Sequence, residues 1–216
     1  MRLRVDLKIF IFLLIFYLTK QIKIYEYIMI FCIIHELGHI LAGIFLKMKP
    51  EKIDIMPFGL SVQFKLFPDD YNNKVLKSNQ LQIKKIIIAM AGPITNFVLI
   101  IAAYFMKLSI EVKSIIIYSN MIIALFNLLP IYPLDGGRIL KGILNIMYGR
   151  KRTEKIMNKV SNILIVFITM ICAFLVYLLK NIAIIVSLVY LWFLIINENK
   201  RYRTKEKIYK IVEENN

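Results

Sequence analysis

The sequence predicts an all-α membrane protein of about six transmembrane helices, with a small membrane-associated β-strand or hairpin between the second and third. Three observations carry this. The 216 residues are 59% hydrophobic, with a mean hydropathy of +0.65, which no ordinary soluble domain matches. Apolar runs close to the ~20 residues that cross a hydrocarbon core recur at about 7–23, 24–46, 86–106, 114–134, 160–179 and 181–197. The basic residues then separate by side. With the N-terminus cytosolic, 24 of the 29 Lys and Arg fall in residues 1–8, 47–85, 138–159 and 200–210, and only Lys20, Lys23, Lys107, Lys113 and Lys180 fall opposite. This is the positive-inside bias with both termini cytosolic, as expected of a multi-pass protein of a bacterial cell membrane. Topology therefore accounts for the net charge of +15 without nucleic acid as a partner.

The first run follows a basic start and resembles a signal peptide, but it lacks a small-residue cleavage site and is expected to remain as a helix. The second carries Ile33-Ile34-His35-Glu36-Leu37-Gly38-His39-Ile40-Leu41. At about 100° per residue, His35 and His39 share one helix face and can grip one ion. Glu36 lies beside them. Two imidazoles that hold Zn²⁺, an open position for water and a carboxylate that takes the water's proton make up the zincin signature. The chain has only two histidines, and both are here. Polar groups at mid-bilayer, costing about 2.5–3.5 kcal/mol each when ionised, need a reason to be there. Cys32 lies one turn before His35 and could offer a thiolate. A cluster of Cys32, His35 and His39 would spread its donors over about 10 Å of helix rise, which disfavours it. Cys32 and Cys172 occupy different apolar runs, so no disulfide framework is expected.

In residues 50–68 the period changes to two: Leu60, Val62, Phe64 and Leu66 alternate with Ser61, Gln63 and Lys65 after the turn Pro57-Phe58-Gly59. This predicts a strand, paired with Ile53 to Met56 as a hairpin, lying on the membrane surface or capturing an extended peptide by main-chain pairing. Asp69 to Gln80 reads as a polar loop. The third run contains Ala91-Gly92-Pro93-Ile94-Thr95-Asn96. Its small residues permit close helix packing, and Asn96 either bonds a neighbouring helix or has a place near the site. The fourth ends in Asn127-Leu128-Leu129-Pro130-Ile131-Tyr132-Pro133-Leu134-Asp135-Gly136-Gly137-Arg138, where two prolines and two glycines break the helix at membrane depth. Of fourteen acids, only Glu36 and Asp135 lie within the apolar runs away from their ends. With no third histidine, Asp135 is the natural third ligand, although it could also cap the following helix. Residues 149–159 read as a basic connection, and the last two runs as scaffold.

These motifs together resemble the site-2 protease family of intramembrane zinc metalloproteases, and within it the sporulation branch of endospore-forming bacteria. The likeness covers roughly residues 24 to 145. It implies one Zn²⁺ per chain on His35, His39 and Asp135, with Glu36 as general base. It further implies that Asn127 and Pro133 shape the loop over the substrate. The substrate would be a protein in or at the membrane, in that branch the pro-form of a sigma factor, with membrane-bound regulatory or inhibitory proteins as further partners. Residues 1–199 are then expected to form the protease domain and 200–216 a short charged cytosolic tail, without the CBS or PDZ domain that other members carry. Broken helices and intramembrane ionisable groups also mark transporters and metal carriers, and an inactive scaffold protein is the remaining alternative.

Overall fold

The computed structural model describes residues 2–5, 7–56, 59–64, 75–180 and 182–214. In chain order these form β1 (Arg2–Val5), α1 (Lys8–Leu18), α2 (Ile22–Phe45), β2 (Pro50–Met56), β3 (Gly59–Phe64), α3 (Val75–Phe105), α4 (Ile110–Asn127), α5 (Asp135–Leu179) and α6 (Ile182–Glu214). The chain divides into two compact units, Met1–Leu129 and Pro130–Asn216.

In the first unit α2 packs along α3, and α4 packs against both. A full-width helix contact would hold two backbones 8–10 Å apart. Here a Cβ on Gly38 of α2 would strike the Thr95 side chain of α3, so the missing side chain sets the close approach. Thr95 turns its hydroxyl back onto Ala91 O at 2.9 Å and so satisfies itself within α3. Ser109 caps α4, its Oγ accepting from the Val112 N–H at 3.4 Å, with Glu111 favourably placed in the first turn. Phe16 of α1 stacks on Tyr25 of α2 with centroids 4.8 Å apart.

β2 and β3 form the hairpin that the alternating residues predict, antiparallel with Ile53 opposite Val62 and Ile55 opposite Leu60. Pro57, Phe58 and Leu66 lie outside the described residues, as does the first half of the expected loop; its second half, from Val75, is already helix α3. The N-terminal residues were expected only to lead into the first helix. Instead Arg2–Val5 adds a third strand, parallel to β2, in the order β1-β2-β3. Met48, Leu81 and Ile88 form a buried cluster flanked by Ala42, Leu46 and Phe64, which anchors the sheet to the adjoining ends of α2 and α3.

The second unit is an antiparallel pair, α5 against α6. The expected basic connection at 149–159 is helical, and α5 passes through it with one bend at Gly149, φ 74° and ψ 169°. α6 likewise continues as a helix to Glu214 through the charged tail.

Among the described residues there are six helices, and four of them are long and apolar enough to cross a membrane: Tyr25–Phe45, Asn79–Phe105, Ile110–Asn127 and Asp135–Leu178. The six helices match the expected number, and the two outside these four are α1 and α6. α1 has 11 residues, about 16 Å of rise. In α6 the apolar part stops at Asn197, after 16 residues or about 24 Å, before Glu198, Lys200 and Arg201.

Gly149 provides a test of the bend. Its φ and ψ lie in a region that essentially only glycine occupies, yet a Cβ there would meet open space. Gly149→Ala is therefore expected to lower unfolding stability by about 1–3 kcal/mol through backbone strain alone. Thermal unfolding in detergent checks this, and an unchanged midpoint would show that the bend does not need its glycine.

Candidate metal centre

The two histidines are held by α3. His35 is 1% exposed and His39 2%, one turn apart on α2 with ring centroids 4.9 Å apart and planes at 85°. His39 Nδ1 lies 2.6 Å from the carbonyl oxygen of Ile88. A carbonyl can only accept, so this nitrogen carries the proton. His35 Nδ1 lies 3.1 Å from Asn96 Oδ1. The Asn96 amide nitrogen donates in turn to the Asn120 carbonyl at 3.3 Å, which leaves Oδ1 as the acceptor toward the ring. Both rings are thus fixed as Nδ1–H tautomers, which makes Nε2 the nitrogen of each that can ligate a metal.

Gly92 of α3 shows where those nitrogens lie. A Cβ built on Gly92 would collide with Nε2 of both His35 and His39. The two rings therefore sit against the Gly92 backbone with their Nε2 atoms side by side, in room that exists because residue 92 has no side chain. Two neutral imidazole nitrogens brought together in this way suit a borderline cation such as zinc.

Asp135 opens α5 and is 4% exposed. The preceding residues 128–134 are non-helical, as Pro130 and Pro133 require. Its carboxylate pairs with Arg138 at 3.7 Å, one turn on, and sits in the first turn of the helix, where the dipole favours an anion.

Of the other expected residues, Glu36 is half-buried on α2 beside His35. Asn96 is wholly buried, and its printed bonds go to His35 and the Asn120 backbone, which joins both sequence expectations for it. Asn127 ends α4 and donates back to Ile123 O at 3.1 Å, within its own helix. Pro133 is half-buried in the connection. Sequence reading missed three contributors: Gly92 as the clearing, the Ile88 carbonyl, and Asn120. Only Asn120 left a signal, a second asparagine inside an apolar run; it is wholly buried, and its amide nitrogen bonds Ile116 O at 2.8 Å.

Residues 25–115 and 106–171 match the family described as peptidase family M50. The chain belongs to that family. It is 33% identical over 132 residues to a zinc metalloprotease of Methanocaldococcus jannaschii, covering 57% of this chain and 35% of that protein. It is 29% identical over 127 residues to stage IV sporulation protein FB of Bacillus subtilis, covering 57% of this chain and 41% of the relative. The matches thus span well under half the length of either relative. In fold it is similar to the solved site-2 protease from Methanocaldococcus jannaschii, with a TM-score of 0.65 over 91% of this chain and 89% of the other, at 23% identity.

Two substitutions test the metal centre. Gly92→Ala should abolish zinc retention, because its methyl would collide with both Nε2 atoms. The metal-free protein should also lose about 1–3 kcal/mol of stability, since the methyl must displace two buried imidazoles. Zinc content after purification and the unfolding midpoint without metal read the two effects separately. A Gly92→Ala protein with a full complement of zinc would refute the clearing. Asn96→Leu should weaken zinc affinity by about 10- to 100-fold, the usual loss when the partner of a ligating histidine is removed, as measured by competition with a chelator.

Proposed function

We propose that this chain is an intramembrane zinc endopeptidase that cleaves a membrane-embedded or membrane-associated protein near the cytosolic face. The observation that carries the reading is the pair of buried histidines with both Nδ1 protons committed to α3 and both Nε2 atoms side by side at Gly92. Membership of family M50 and the zinc metalloprotease relative support it. His35, His39 and Asp135 are the proposed ligands, and a bound zinc ion supplies Lewis-acid polarisation and lowers the pKa of water to about 7.

The protein's own groups do the rest. Glu36, next to His35 on α2, accepts the proton of the attacking water and returns it to the leaving amine. Burial of the histidines keeps bulk water out and strengthens the electrostatics of the site. A scissile bond within a helix is shielded by its own hydrogen bonds, so the substrate must be extended at the cut. The β1-β2-β3 sheet offers edges on which an extended segment could pair by main-chain hydrogen bonds. Asn127 and Pro133 shape the approach to the metal in this reading. The likeness to a sporulation protein supports a membrane-tethered pro-protein as substrate, in that setting the pro-form of a sigma factor, with membrane-bound proteins as regulators.

Glu36→Gln is expected to reduce cleavage of a co-reconstituted substrate by at least about 10²- to 10⁴-fold while zinc stays bound, because the amide cannot take the proton and replaces no ligand. Cleavage at the wild-type rate in zinc-replete Glu36→Gln protein would remove Glu36 from the base role. Reporter fusions test the orientation. The 24-to-5 split of basic residues places a reporter after Asn216, and one inserted at Asn72, in the cytosol. An external signal at either position would move the site to the other face.

A further inference from the structure

The charged segments of α5 and α6 form a surface that the proteolytic reading does not use. Glu154 of α5, 7% exposed, accepts from Lys205 of α6 at 2.8 Å and pairs with Lys141 at 3.0 Å. One level deeper, Asn199 of α6 donates to Asn162 of α5 at 2.9 Å. These bonds hold the two basic segments side by side at the same end of the helix pair. They also turn the acid inward and leave bases outside: Lys155 and Lys159 of α5 and Lys200, Arg201 and Arg203 of α6 are all exposed.

Their depth is confined. Apolar sequence begins at Val160 in α5 and ends at Asn197 in α6. Lys159 adjoins that boundary, Lys155 stands about 7.5 Å beyond it, and Lys200, Arg201 and Arg203 stand within about 9 Å. The five therefore occupy a band no deeper than about one Debye length. Glu198 is the acid beside them, 3.7 Å from Arg201, and at the other end of the pair stands Lys180 alone.

We propose that this band docks anionic phospholipid headgroups, so that the chain gathers acidic lipid around the basic end of α5 and α6. Each Lys or Arg near an anionic leaflet contributes about 1 kcal/mol, and clusters of 4–8 beside a membrane helix are of the size that selects acidic lipid. A planar layer of phosphates fits a shallow band that borders hydrocarbon-facing residues on two helices. Orientation by positive charge alone would require neither the two interhelical bonds nor any preference among lipids.

The chain's single tryptophan, Trp192, sits in α6 near this end and serves as donor. The full chain in vesicles is titrated with dansyl-labelled phosphatidylglycerol or dansyl-labelled phosphatidylcholine, and energy transfer is compared. The wild type should favour the phosphatidylglycerol probe several-fold, and the preference should fade as salt rises from about 0.05 to 0.5 M. The joint variant Lys155→Gln, Lys159→Gln, Lys200→Gln, Arg203→Gln should lose most of it. An equal-charge variant beyond the band, Arg150→Gln, Lys151→Gln, Lys207→Gln, Lys210→Gln, should keep most of it. Equal transfer from both probes in the wild type, or equal loss in both variants, would overturn the proposal. So would an absence of lipid preference accompanied by salt-sensitive binding of an oligonucleotide, which would assign the surface to nucleic acid. Should the band variant fail to insert, the wild-type probe comparison and its salt dependence still decide.

Discussion

Two hydrogen bonds from the imidazoles of α2 to α3 are the constraint on which the site depends. A histidine can ligate a metal through either nitrogen, and four-residue spacing on a helix places two rings on one side without saying which atoms face each other. The Ile88 carbonyl and Asn96 Oδ1 decide this by accepting the Nδ1 protons. Those bonds require α2 and α3 to lie closer than their side chains would ordinarily allow. Gly38 permits the approach on one helix, and Gly92 makes room for the nitrogens on the other. Burying two imidazoles is costly unless every polar atom is met. Here one nitrogen of each ring is met by α3.

The connection before α5 answers a different need. Pro130 and Pro133 end the helical pattern, and Asp135 can then begin a new helix whose N-terminal dipole and Arg138 both favour the ionised carboxylate. A carboxylate in mid-helix would have no such support. Beyond it, the glycine bend at residue 149 lets α5 change direction, and Glu154 pairs with Lys141 from before that bend and with Lys205 of α6.

What could be read from the sequence follows the physics of each signal. HELGH and the aspartate were legible because charge and imidazole are rare in apolar runs and their cost demands a purpose. The hairpin was legible because a two-residue period is distinct from a helical one. The six helices were legible from the apolar runs, but their ends were not, since apolar composition does not show where hydrogen bonding or charge ends a helix. The third strand was invisible: four residues, Arg2–Val5, carry no period of their own and pair only because β2 presents an edge. The Ile88 carbonyl could never have been found, because every residue has one. Gly92 read as a packing residue, and only the positions of both Nε2 atoms reveal it as a clearing.

The central proposal is that two Nδ1–H imidazoles and a carboxylate hold zinc, and that the buried thiol of Cys32 one turn before His35 does not. X-ray absorption at the zinc edge of the purified, zinc-loaded protein tests it most directly. The account predicts a first shell of nitrogen and oxygen at about 2.0–2.2 Å, with imidazole scattering from two rings and no sulfur. A zinc–sulfur distance of about 2.3 Å would contradict it.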